Sequence, residues 1–420
     1  MSLLLADAAF LDWRTGTLER GDFRVTAGAG GRIERAGEPP EPGTEVLDCG
    51  GKLVVRAFAC GHHHAYSALA RGMPPPPRAP RSFAEVLELV WWRLDRALDL
   101  EMVRASALAT ALACARNGVT LVVDHHSSPR AAEGSLGVIA SAFERLGLRH
   151  LLCLELSDRD GEAAREAGLA ESERHLASGR PGLVGLHASF TVGDELLARA
   201  VELARRYETG IHIHVAEDPV DQERTLRASG LRVVERLHRA GVLDLRGTVL
   251  AHCLHLDGAE RELVAASPAW VVQNTESNQN NAVGLFDPRG LGRRIMLGTD
   301  GMHSDMIRSA RAAFLAGQSV DGPTPAQVAG RLRAVHAYAA ELGLERENDL
   351  VVLDYDSPTT VTAENWPSHL VYGLESRHVL HVIAEGRLIL RHRRPVTVDE
   401  EEILTFAREQ AHRLWHRLNP

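Results

Sequence analysis

Six side chains able to bind a cation or move a proton occur in a fixed order along the chain: His62 and His64, His214 with Glu217, His252, and Asp300. Each sits at or just after an apolar run, where a barrel strand would deliver it to one common mouth. His62 and His64 are two apart, so on an extended strand both rings face the same way and two neutral imidazoles can meet one divalent cation. The run Ile211 to His214 offers His214 to the same ion, and the chain then turns so that Glu217 can approach the reacting water. A carboxylate belongs there because attack by water liberates a proton that must reach a ring nitrogen or leaving group. Asp300 can ligate through one oxygen and accept a proton with the other. His252 can polarise the water or stabilise developing charge. The pattern is that of a metal-dependent hydrolase, and His212, although it shares a face with His214, reads as structural.

Eight apolar runs could position these groups: Leu53–Val55 leading towards His62, Val119–Val123, Leu151–Leu154, Leu183–Leu186, Ile211–His214, Val249–His252, Trp270–Gln273 and Ile295–Gly298. Helix-like stretches alternate with them, which predicts a (β/α)8 barrel. Short Gly-punctuated strands at the start, and others at 349–353, 378–383 and 388–390, predict a small β-sandwich built by both termini. The expected division is 1–54 for the N-terminal part of that sandwich, 55–345 for the barrel, 346–395 for the C-terminal part and 396–420 for a last helix. Ser82 with Glu85 forms a capping-box pattern, and the apolar face that follows predicts a helix running to Leu98. With the stiff Pro74–Pro77 connector before it, segment 72–98 is expected to overhang the mouth as a lid.

Composition narrows the function. At 420 residues and 45.8 kDa, 45% apolar and 25% charged, the chain can bury a large core. Its net charge of −9 argues against nucleic acid or an anionic membrane as main partner. Five dispersed cysteines without a CxxC pair read as reduced thiols, the start lacks a basic region before its apolar residues, and the expected compartment is the cytoplasm. Lys52 is the only lysine, so no lysine can bridge two metals in mid-barrel, and one divalent ion per subunit is expected. Zinc suits the donor set first, with ferrous iron or manganese also compatible.

With these motifs in view, the chain resembles the amidohydrolase superfamily, in its cytosine-deaminase-like and chlorohydrolase-like branch, over essentially its full length. Segments Tyr66–Pro74, Trp91–Asp95 and Glu276–Gly284 look like the aminohydrolase group often associated with selenium metabolism. The resemblance implies a barrel flanked by a terminal sandwich and one metal held by His62, His64, His214 and Asp300. It further implies Glu217 as proton shuttle, His252 as the histidine that contacts water or substrate, and His187 as a substrate-facing residue after the fourth strand. The entry to the first motif departs from relatives, which carry a Pro-Gly pair where this chain reads Arg56-Ala57-Phe58. That changes how the entry turn is specified, while the ligands survive.

The expected reaction is hydrolytic deamination of a small planar nitrogen heterocycle, such as a purine or pterin derivative. Tyr66, Trp92 and Phe190, with Trp91, could cover a flat ring, and Glu276, Asn278 and His303, with Arg93 and Gln279, could read its edge. The same residues would also serve a chlorohydrolase, an amine-releasing triazine hydrolase or a cyclic amidohydrolase. A non-catalytic metal-binding protein on a degenerate barrel is the non-enzyme alternative. A homo-oligomer is expected from the family resemblance.

Overall fold

The computed structural model describes residues 2–37 and 43–419. Its centre is an eight-stranded parallel sheet whose strands follow one another in chain order: β1 (Phe58–His63), β2 (Val119–His126), β3 (Arg149–Leu156), β4 (Val184–Ala188), β5 (Ile211–Val215), β6 (Val249–His252), β7 (Trp270–Gln273) and β8 (Ile295–Leu297). Closure occurs at one backbone carbonyl. His62 O accepts from Thr299 N at 3.1 Å and from Asp300 N at 3.0 Å, so the seam between β8 and β1 is tied at a predicted metal ligand. This is the expected TIM-like barrel.

Two glycines make that seam possible. A Cβ on Gly61 would lie 2.9 Å from the Leu297 carbonyl oxygen, and one on Gly298 would lie 2.5 Å from Asn274 Oδ1 and 2.9 Å from His62 O. Neither contact can be relieved without moving backbone or a packed amide, so glycine is required by close approach.

Strands from both chain ends form the second body, a nine-stranded mixed sheet. The long first strand, Ser2–Asp12, bulges between Leu5 and Ala8; its first half pairs with Glu45–Asp48 and its second with Leu53–Arg56. Leu53–Arg56 in turn pairs with Leu350–Leu353, which brings the C-terminal strands in. Alternate residues face two cores. Phe10, Val54, Leu350 and Val352 lie in the sheet's own interior, whereas Leu11, Val55, Val351 and Leu353 pack towards the barrel helices.

This corrects one element of the sequence analysis. Leu53–Val55 belongs to the terminal sheet, and the first barrel strand is Phe58–His63. Buried Arg56 explains the change of sheet, because its guanidinium pairs with Asp12 (Nε–Oδ1 2.9 Å, Nη2–Oδ2 2.9 Å) and donates to the Glu347 carbonyl. The residue at the altered entry turn is thus a clamp between the termini and the barrel.

The lid is helical over Phe83–Ala97, with a π-helical segment at Leu87–Trp91. Ser82 Oγ accepts from Glu85 N at 3.3 Å, but the Glu85 carboxylate turns to Arg78 and Arg81 N instead of closing the capping box. The expected last helix spans Glu400–Leu418.

The seam yields a test. Gly298→Ala should cost about 1–3 kcal/mol through overpacking and should also lower metal retention, because the displaced His62 carbonyl carries its imidazole with it. Thermal unfolding and elemental analysis of the same sample check this; a variant unchanged in both would show that the seam has room to spare.

Candidate active site

Three strands leave the barrel through left-handed backbone. Ala216 after β5 (φ 45°), His252 and Cys253 at the end of β6 (φ 73° and 53°) and Asp300 after β8 (φ 54°) all adopt a conformation that side chains with a Cβ rarely take. Each such residue costs of the order of 1–3 kcal/mol, and these sit where Glu217, His252 and Asp300 are delivered to the mouth. Strain is thus concentrated at the reactive groups.

The structure brings the four predicted ligands to one point. His64 Nε2 lies 3.0 Å from Asp300 Oδ1 and 3.2 Å from His214 Nε2, while His62 Nε2 lies 3.6 Å from Asp300 Oδ1. Donors about 3.3 Å apart are what a tetrahedron with bonds of about 2.0–2.1 Å produces. The tautomers can be read from the outer partners. His64 Nδ1 donates to the His125 carbonyl at 2.6 Å and His214 Nδ1 to the His187 carbonyl at 2.7 Å, leaving both Nε2 lone pairs turned inward. His62 Nδ1 and His212 Nε2 are 2.8 Å apart, so donation from His62 frees its Nε2 as well. Buried Nε2 of His62 has no protein hydrogen-bond partner. Facing lone pairs in a buried pocket repel unless positive charge lies between them, and the His/Asp cluster accordingly fits a single divalent metal ion.

Electrostatics point the same way. Burial works against the charged form of Asp300, but His62 and His64 hold its carboxyl well below the usual range. Burial also pulls His64 down, yet Asp300 overrides it and holds the imidazole up at about 9. His214 is pushed down to about 4 by burial and by His64 and His252. At neutral pH the cluster therefore carries a proton at His64 or a metal ion in its place.

Asp300 divides its oxygens between two tasks. Oδ1 faces the ligand histidines, and Oδ2 lies 3.6 Å from His252 Nε2, which is itself 3.6 Å from Glu217 Oε2. Asn278 Oδ1 accepts from His252 Nδ1 at 2.7 Å and fixes that ring with Nε2 inward. Burial pushes the Glu217 carboxyl up, partly offset by His252, with Asp300 adding to the rise.

A small pocket that opens to solvent adjoins this cluster. Tyr66, Trp91, Trp92, Asp95, Glu155, Arg159 and His187 line it with Glu217 and Asp300. Other predicted substrate contacts are placed elsewhere. Phe190 faces a neighbouring groove under Arg224, Glu276 is paired with His303 and Arg308, and Arg93 turns to the Leu418 carbonyl. Asn278 reaches His252 rather than the cavity wall.

Several supporting residues escaped the sequence analysis. Asp221 accepts from Ala216 N at 2.9 Å and Phe190 N at 3.1 Å, tying the turn that carries Glu217 to the one after His187. Asp124 Oδ1 accepts from Ala65 N at 2.7 Å and fixes the chain just past His64. Buried Arg159 binds Glu155 and Asp95, each at 2.7 Å, and forms the inner wall under Trp92. The sole signal for Asp221 was its place in the first turn of a helix begun by Asp218-Pro219.

Two results follow. Asn278→Leu should keep its metal but lose about 10–100-fold in turnover through misorientation of His252, as metal assay and steady-state rates would show. Metal affinity should weaken about tenfold per pH unit below about 9, because the ion must displace the His64 proton; a competitive chelator titration between pH 6 and 8 reads that slope.

Comparison with known proteins agrees with this geometry. The profile of the amidohydrolase family matches residues 53–389. A 5'-deoxyadenosine deaminase of Methanopyrus kandleri is 30% identical, over 90% of both chains. A 5-methylthioadenosine/S-adenosylhomocysteine deaminase of Pelotomaculum thermopropionicum is 29% identical, over 96% of both. Among solved structures, a zinc-bound adenosine deaminase from Xanthomonas campestris superposes with a TM-score of 0.84 at 20% identity, covering 98% of each chain. The zinc complex of an atrazine chlorohydrolase from Arthrobacter aurescens TC1 gives 0.80 at 17% identity, covering 97% of this chain and 100% of the other. The chain belongs to the amidohydrolase family.

Proposed function

We propose that this protein is a zinc-dependent aminohydrolase that replaces the exocyclic amine of an adenosine-like purine by oxygen, releasing ammonia. The observation that carries the proposal is the pairing of the His62/His64/Asp300 group, with His214 beside His64, to Glu217 and His252 on its cavity side. Adenosine-type deamination named for relatives similar over 90% or more of this chain supports the choice of ring.

A divalent ion bound by the cluster supplies Lewis acidity and makes water a nucleophile near neutral pH. Asp300 Oδ2 and His252 Nε2 are placed to receive the proton that attack at the amine-bearing carbon releases. Glu217 delivers its proton to the adjacent ring nitrogen; as the carbonyl forms, the hydroxyl proton returns to Glu217 and the proton taken up by Asp300 or His252 passes to the amine, which leaves as ammonia. Once protonated, His252 stabilises negative charge on the new oxygen. Tyr66, Trp92 and His187 bound the space for the ring. Glu276 and His303 are paired with each other outside the cavity lining and are given no contact with the ring.

The narrower kinship with the selenium-associated aminohydrolase group is proposed on the three segments quoted above alone. The divisions at residues 345 and 395 are proposed from the sequence pattern, while the first, expected at 54, moves past Arg56 because Leu53–Arg56 pairs within the terminal sheet. A homo-oligomer in the cytoplasm completes the proposal; five free, buried cysteines support a reducing setting. Among the described residues, no helix is long and apolar enough to cross a membrane.

Ammonia release should be fastest with adenosine, 5'-deoxyadenosine or 5'-methylthioadenosine and slow with cytosine, pterins or chlorinated triazines. Glu217→Gln should retain its metal and lose about 10²–10⁴-fold in kcat. Halide release without ammonia, or full activity in that variant, would overturn the assignment.

A further inference from the structure

Part of the substrate-facing wall lies outside the barrel strands. Tyr66 comes from the turn of helix Ala65–Ala70 directly after His64, and Trp91, Trp92 and Asp95 come from the lid helix. Ser106 and Thr110 hold the start of the first piece and Arg159 holds Asp95 in the second, and the C-terminal helix Glu400–Leu418 ties down the far end of each. Trp415 Nε1 donates to the Leu69 carbonyl at 2.9 Å, at the end of the Tyr66 turn. Arg417 reaches the other piece, with Nη1 donating to the Ala97 carbonyl at 2.9 Å and Nη2 to Asp99 Oδ2 at 2.6 Å. Arg413 joins Asp99 at 3.1 Å, and Arg93 of the lid donates to the Leu418 carbonyl. Ile403, Leu414 and Leu418 are buried in the main core, so these bonds issue from a fixed body.

We propose that Trp415 and Arg417 are positioning residues for the substrate wall. They hold the Tyr66 turn and the Trp92–Asp95 turn at a set distance from the barrel mouth, and so govern capture of the substrate rather than bond breaking. Neither touches the cavity. The geometric claim stands on the hydrogen bonds; only its kinetic consequence rests on the deaminase reading.

The test uses the full-length, zinc-loaded protein with Trp415→Phe, Arg417→Gln and Arg417→Lys. Hydrogen exchange should quicken about tenfold over 65–71 in the first variant and over 92–99 in the second, with strands β2 and β5 unchanged. Zinc content should stay at the wild-type level. With a nucleoside that the wild type deaminates, KM should rise about five- to tenfold while kcat stays within about twofold, and Arg417→Lys, which keeps one donor, should recover part of the loss. Unchanged exchange at both places, loosening that spreads equally through the barrel, or a fall in kcat at constant KM would overturn the proposal. Should the wild type deaminate no nucleoside, the deaminase reading fails while the exchange measurements still decide this one.

Discussion

Inward-facing lone pairs on buried imidazoles, beside one ionised carboxylate, are the constraint around which the molecule is arranged. While the imidazoles are neutral, hydrogen bonds among the inward nitrogens of His64 and His214 are precluded, because their Nδ1 protons are committed to the His125 and His187 carbonyls. Positive charge at the centre resolves the conflict. The fold's task is to keep these donors in place when that charge is exchanged, and tying the barrel seam to the His62 carbonyl serves it directly.

Support for the site comes from neighbouring strands and from the helices that follow them. His212 stands behind His62, Asn278 behind His252, and Asp221 behind the turn that carries Glu217. Left-handed residues at 216, 252, 253 and 300 would relax if the surrounding bonds were loosened. The reactive groups are therefore held against a local preference by the packing of the whole barrel mouth. The arginine-bound inner wall adds a second rigid surface, for although burial works against it, Arg159 holds Glu155 well below the usual carboxylate range.

The sequence made the barrel and its convergent histidines legible because barrel strands are apolar runs ending in polar residues, and the period of the pattern survives in any one chain. It misassigned Leu53–Val55 because an apolar triplet is equally at home in either sheet; the deciding feature was Arg56, whose partner Asp12 lies 44 residues away. Glu276 and His303 looked like edge readers by type, but they satisfy one another, a pairing across 27 residues that spacing cannot reveal. Asp221 and Asp124 went unnoticed because they bind backbone amides, and Arg159 because its partners Glu155 and Asp95 are other buried side chains. The C-terminal helix was visible as an amphipathic stretch, whereas its grip on the substrate wall depends on tertiary placement more than 300 residues away in sequence.

Anomalous diffraction at the zinc edge from metal-loaded crystals bears most directly on the central claim. One peak per chain is predicted, about 2.0–2.2 Å from the Nε2 atoms of His62, His64 and His214 and from one Asp300 oxygen. A peak that leaves His214 or Asp300 uncoordinated, or a second ion of equal occupancy beside the first, would contradict it.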